Sequence, residues 1–94
     1  MPITHDFTTS VINDGAAIYY KIHSTGSGSN RLLVVFAAEE TPDAFTSVAS
    51  ISYNSVLLSK INHAHMTGVN EGRIECWYLL NPTSGPNNLE ITWS

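Results

Sequence analysis

The sequence predicts an all-β domain, a two-layer antiparallel β-sandwich of about seven strands with jelly-roll or immunoglobulin-like topology. Three observations lead there. Apolar residues alternate with others at period two in one segment after another, the pattern of a strand with one buried face. No segment carries the apolar spacing of an amphipathic helix. Finally, polarity resides in 11 serines, 9 threonines and 8 asparagines more than in charge, since charged residues are 13% of the chain and apolar residues 43%. Uncharged polar residues with β-branched and aromatic partners suit two-faced strands. A chain of 94 residues reads as one domain, 1–94. At that length roughly 60–70% of the unfolded surface is buried, enough to hold a core without covalent help.

The elements follow in order. Asn13-Asp14-Gly15 is a type I′ hairpin signal and predicts a strand around Asp6–Ile12 joined to one around Ala16–His23. In the second, Ala16, Ile18, Tyr20 and Ile22 form the apolar face. Ser24 to Asn30 is a loop; its glycines precede a strand, so no helix follows to make a phosphate cradle. The run Leu32 to Ala38 is apolar on both faces and predicts a central strand covered on each side. Glu39 to Asp43 reads as an acidic loop or a short helical turn. A strand over Phe45–Tyr53 then meets an Asn54-Ser55 turn, where serine is poorly suited to positive φ. Val56–Ile61 resumes the strand pattern, and 67–72 is a turn. In Arg73–Leu80, Ile74, Cys76, Tyr78 and Leu80 are assigned inward; Arg73, Glu75, Trp77 and Leu79 form the more polar face. Residues 81–88 read as a long turn broken by two prolines, and Leu89, Ile91 and Trp93 share one face of a closing strand.

Composition excludes several functions. The net charge of −4, from 4 Lys+Arg and 8 Asp+Glu, lacks the basic footprint of nucleic-acid binding. Met1 to Ser10 has neither a basic n-region nor an apolar h-region, so no signal peptide is expected. No apolar run approaches the roughly 18 residues of a membrane span, so no membrane partner is expected. Cys76 is the sole cysteine and forms no intrachain disulfide.

The chemistry-bearing candidates are few. His63 and His65 share a strand face, but a structural zinc needs four ligands and no supporting spacing is present. Cys76 reads as a buried, inert thiol. No Gly-x-Ser-x-Gly elbow anchors a hydrolase triad. No catalytic residue, metal or cofactor is expected. Trp77, on the more polar face, is the residue for stacking on a sugar ring.

The stretches 29–35 (SNRLLVV), 51–58 (ISYNSVLL), 72–85 (GRIECWYLLNPTSG) and 88–93 (NLEITW) occur in that order. Together they resemble small β-sandwich modules of phage virion proteins (capsid decoration or cement, fibre, baseplate) and of bacterial surface proteins. The resemblance covers about two-thirds of the chain and rests on core aromatics and turn formers. Ser55 departs from it, standing where such modules carry a turn glycine, and many relatives continue past the position of Ser94.

The resemblance implies a non-enzymatic structural protein of a virus particle, made in the host cytoplasm. The expected role is a phage capsid decoration protein acting as a homo-oligomer, with a trimer favoured, on the major capsid protein or another virion protein. A carbohydrate-binding or adhesion module is the alternative, resting on Trp77. The expected assembly residues are Leu89, Ile91 and Trp93 on an unprotected closing edge. Phe7, Val11 and Ile12, on an extended N-terminal arm over residues 1–12, complete the set.

Overall fold

The computed structural model describes residues 4–10, 18–41, 47–66 and 71–93. Among them lie seven strands and no helix: β1 (Ile18–Thr25), β2 (Leu32–Thr41), β3 (Val48–Tyr53), β4 (Val56–Leu57), β5 (Ser59–Met66), β6 (Glu71–Leu80) and β7 (Gly85–Trp93). They form two antiparallel sheets, four strands in the order β1-β7-β3-β4 and three in the order β2-β6-β5. The predicted β-sandwich is the fold. Its outermost strands in sequence pair with one another, β1 with β7 and β2 with β6.

The core lies between the sheets. Leu33, Val35 and Ala37 of β2 and Trp77 of β6 meet Val48, Ile51 and Tyr53 of β3 and Leu58. Leu79, Leu89, Ile91 and Trp93 pack against this cluster from the rim. Leu58 is where the chain leaves one sheet for the other, and its N–H donates to the Ile51 carbonyl at 2.8 Å. The buried Tyr53 shares its O–H between the carbonyls of His23 (2.7 Å) and Gly85 (3.1 Å), tying β1 and β7 to β3.

Two bulges set which side chains point inward. In β3 the register against β7 shifts between Val48 and Ser50. Simple alternation with Ile51 and Tyr53 turns Ala49 inward, but the extra residue leaves Ala49 exposed and buries Val48. In β5 the shift falls between Lys60 and Asn62, so Lys60 lies opposite Trp77 and Asn62 opposite Cys76.

Several sequence expectations are corrected. Residues 4–10 form no strand, and the Asn13-Asp14-Gly15 hairpin lies outside the described residues. Segment 4–10 is held by its own domain: Gly26 N–H donates to Asp6 Oδ2, and Thr9 Oγ1 shares a 2.7 Å hydrogen bond with His23 Nδ1. β2 is an edge strand covered on one side only, and it runs on through Glu39 and Glu40 to Thr41. β7 starts at Gly85, with Pro86 opposite Ser24, so the 81–88 turn is shorter than expected. β7 also lies between β1 and β3, so the closing strand has no free edge.

The Asn54-Ser55 turn forms with positive φ at both residues, 49° and 64°, as a two-residue type I′ hairpin requires. Serine pays a steric cost there that glycine does not, on the order of 1 kcal/mol. Ser55→Gly is therefore expected to stabilise the fold by about 0.5–1 kcal/mol, read as a raised urea midpoint at unchanged slope. A lowered midpoint would show that the turn differs from this geometry.

Candidate functional site

Glu75 projects from β6 into the space between the sheets and is 1% exposed. Four donors converge on its carboxylate. Oε2 accepts the backbone N–H of Val48 at 2.8 Å and Arg73 Nε at 2.9 Å. Oε1 accepts Trp77 Nε1 at 3.2 Å and lies 3.3 Å from Lys60 Nζ. The local sequence explains the set. Arg73, Glu75 and Trp77 are spaced by two on one strand and share a face. The β5 bulge turns Lys60 toward that face, and the β3 bulge turns Val48 inward from the opposite sheet. The carboxylate thus joins the two layers.

Burial out of water is the largest single influence on Glu75 and pushes its carboxyl upward. The Val48 N–H, Arg73 and Lys60 together outweigh it and hold the carboxyl below its ordinary value. A catalytic acid needs the reverse, a raised value and access to substrate. Every oxygen of Glu75 is already engaged and enclosed, and the arrangement is structural.

His23 is the other buried polar residue. Desolvation lowers its pKa, opposed in part by the charge of Asp6. Its ring meets that of Tyr53 edge-on, with centroids 6.0 Å apart.

The inward position of Arg73, Glu75, Trp77 and Leu79 reverses the expected facing of β6. Trp77 is 8% exposed, so it offers no face to a sugar. Cys76 is partly exposed on the outer face instead of buried. The same reversal holds in β1, where Ile18, Tyr20 and Ile22 face water and His23 is inside. Sequence reasoning went astray because two charges on β6 marked a solvent face, whereas here they neutralise one another inside.

The opposite side of the β2-β6-β5 sheet is the second feature. Cross-strand pairs Leu32–Leu80, Val34–Tyr78, Phe36–Cys76 and Ala38–Ile74 line it. Phe36 is 68% exposed, Leu80 64% and Leu32 59%. From β5, Ser59, Asn62 and Ala64 complete the face, opposite Tyr78, Cys76 and Ile74. From Leu32 to Ala38 and across to β5 the face carries no charged residue; Glu40, opposite Gly72 at the end of β2, continues the same register. A shallow depression of about 200 Å³ lies on this side, bordered by Phe36, Asn62, His63, Ala64, Ile74, Glu75 and Cys76. That is below the roughly 300–1,000 Å³ of small-molecule pockets. The outer face of the four-stranded sheet is more mixed, with Glu90, Asn88, Thr92, Ser50 and Ser52 beside the apolar residues of β1.

Of the expected assembly residues, Leu89, Ile91 and Trp93 are half-buried against their own core. Phe7 is exposed, and Val11 and Ile12 lie outside the described residues. His63 is opposite Glu75 and the side chain of His65 lies outside the description. Among the described residues no group of three or more His, Cys, Asp or Glu side chains gathers to hold a metal. The surface residues that matter most, Leu32, Val34, Phe36, Ile74 and Leu80, were missed as a surface. Their signal was the two-sided apolar run of β2, which reads as burial on both sides.

No family model matches the chain, and neither a curated protein nor a solved structure shows significant similarity to it.

Acid should unfold this protein in two stages. A group held below its ordinary value in the folded state stabilises the fold above that value and withdraws the contribution as pH falls. His23 is therefore expected to cost stability below about pH 6.5, and Glu75 below about pH 4.5. Glu75→Gln should lose about 3 kcal/mol at neutral pH, because Arg73 and Lys60 keep their charges without a counter-charge. It should also remove the lower-pH stage. Urea midpoints of both proteins from pH 3 to 8 check this, and an unchanged acid limb in the variant would contradict it.

Proposed function

We propose that this chain is a non-enzymatic assembly protein whose working surface is the outer face of the β2-β6-β5 sheet. The exposure of that face carries the reading. Leu32, Val34, Phe36, Ile74 and Leu80 are 41–68% exposed and together leave on the order of 500 Å² of largely apolar surface in water, a patch of the size that marks an interaction site. Burying it is worth on the order of 10 kcal/mol before the costs of association. The sequence supports the same view, because β2 has the composition of a strand covered on both sides while the single domain covers only one.

In its specific form the proposal is a phage capsid decoration protein, located on the virion, acting as a homo-oligomer against the major capsid protein. Its support is the resemblance of the 29–35, 51–58, 72–85 and 88–93 stretches to such modules. The mechanism is mass action: contacts made only by the assembled shell stabilise it relative to free subunits.

Light scattering at high micromolar concentration is expected to give a multiple of 10.3 kDa. The double variant Leu32→Ser, Leu80→Ser should shift it toward the monomer while keeping the circular dichroism of a β protein, because both side chains are exposed within one domain. A monomeric wild type whose antibody also fails to label virus particles from the cells that make it would overturn the proposal.

A further inference from the structure

The occupant of the apolar face follows from its shape and charge. Phe36 is the most exposed large side chain on it and forms one wall of the depression, whose other walls are Asn62, His63, Ala64, Ile74, Glu75 and Cys76. A cavity of roughly 150 Å³ accepts a benzene ring, so 200 Å³ accommodates one phenyl group. A knob and a matching hollow on one face are the ingredients of a two-fold contact, in which the same patch serves both partners.

We infer that a second copy of this chain covers the face, the two Phe36 rings crossing the two-fold axis to fill each other's depressions. The inference deepens the assembly reading and rests on it. It replaces the trimer implied by the sequence resemblance with a two-fold pair as the basic unit.

Charge and area favour a second copy over an unlike partner. The chain carries a net charge of −4, yet the middle of this face, from Leu32 to Ala38 on β2, is uncharged, and Glu40 stands at its end opposite Gly72. Two copies centred on Phe36 therefore meet over an uncharged middle with Glu40 at the end of the patch, and no basic partner surface is called for there. The apolar residues named above supply on the order of 500 Å² of the approximately 800 Å² per partner in a standard interface. Ser59 and Tyr78, paired across β5 and β6, add to that area. Phe36, midway along β2 and mostly exposed in the single domain, has the aromatic character of an interface hot spot.

Cys76 reports on the contact directly, since it lines the depression and is the sole cysteine. The test measures the rate of labelling by a small uncharged thiol reagent against concentration of the full chain, in parallel with sedimentation. The result expected is rapid labelling at nanomolar concentration and at least tenfold slower labelling where sedimentation gives a dimer. Phe36→Ser should abolish both the dimer and the protection while leaving the thermal midpoint at nanomolar concentration unchanged. Should that variant fail to fold, the wild-type labelling curve still decides.

The outcomes separate the two readings. A wild-type oligomer that leaves Cys76 equally reactive at all concentrations overturns the Phe36 exchange and leaves the assembly reading standing. A wild type that stays monomeric throughout overturns the exchange. If its Leu32→Ser, Leu80→Ser form also binds virus particles as well as wild type, the assembly reading falls with it.

Discussion

One carboxylate holds the two layers of this sandwich in register. Glu75 has left water almost completely, and an unpaired buried charge costs several kcal/mol. It is tolerated because four donors reach it from three strands, and two of those strands are bulged at the places that bring the donors in. Val48 illustrates the dependence. Its side chain enters the core through an irregularity that also aims its N–H at Glu75, so backbone satisfaction and core packing are solved together. Lys60 has a similar origin, and its partial exposure lets water share in solvating the cluster.

The cluster determines which way β6 faces. Hydrophobicity alone favours burying Ile74, Cys76, Tyr78 and Leu80 and leaving Arg73 and Glu75 in water, because a one-face reversal exchanges the entire set. The observed facing puts Trp77 and the neutralised charges inside and sends the apolar set outward with Phe36 and Leu32 from β2. A lone domain gains little from this arrangement. A domain whose outer sheet face is to be covered by another subunit gains both a specified interior and a largely apolar exterior. Packing, electrostatics and the proposed assembly role therefore form a single chain of cause.

Much of the fold was legible in the sequence, because strand alternation and turn residues are local signals. The spans of β1, β3 and β6 fall where period-two patterns stand, β2 falls on the continuous apolar run, and the Asn54-Ser55 turn forms despite its serine. Facing was not legible. In β2 both faces are apolar, so alternation carries no information there. In β6 and β1 the polar residues Glu75 and His23 are inside because partners distant in sequence satisfy them: Val48 and Lys60 for the first, Thr9 for the second. Bulges at 49 and 61 also break the parity on which any facing argument relies. The closing strand looked like an edge because strand order is a tertiary property, and β7 proves to be flanked on both sides.

The central claim, that Glu75 reaches across the sandwich to the backbone of Val48, is tested most directly by amide hydrogen exchange. In this account the Val48 amide exchanges only when the sheets separate, as slowly as the ladder amides of β7, while the neighbouring exposed Ala49 exchanges quickly. In Glu75→Gln the Val48 amide should lose protection ahead of the β7 ladder. Rapid exchange at Val48 in the native protein, matching Ala49, would contradict the contact and with it the inward facing of β6.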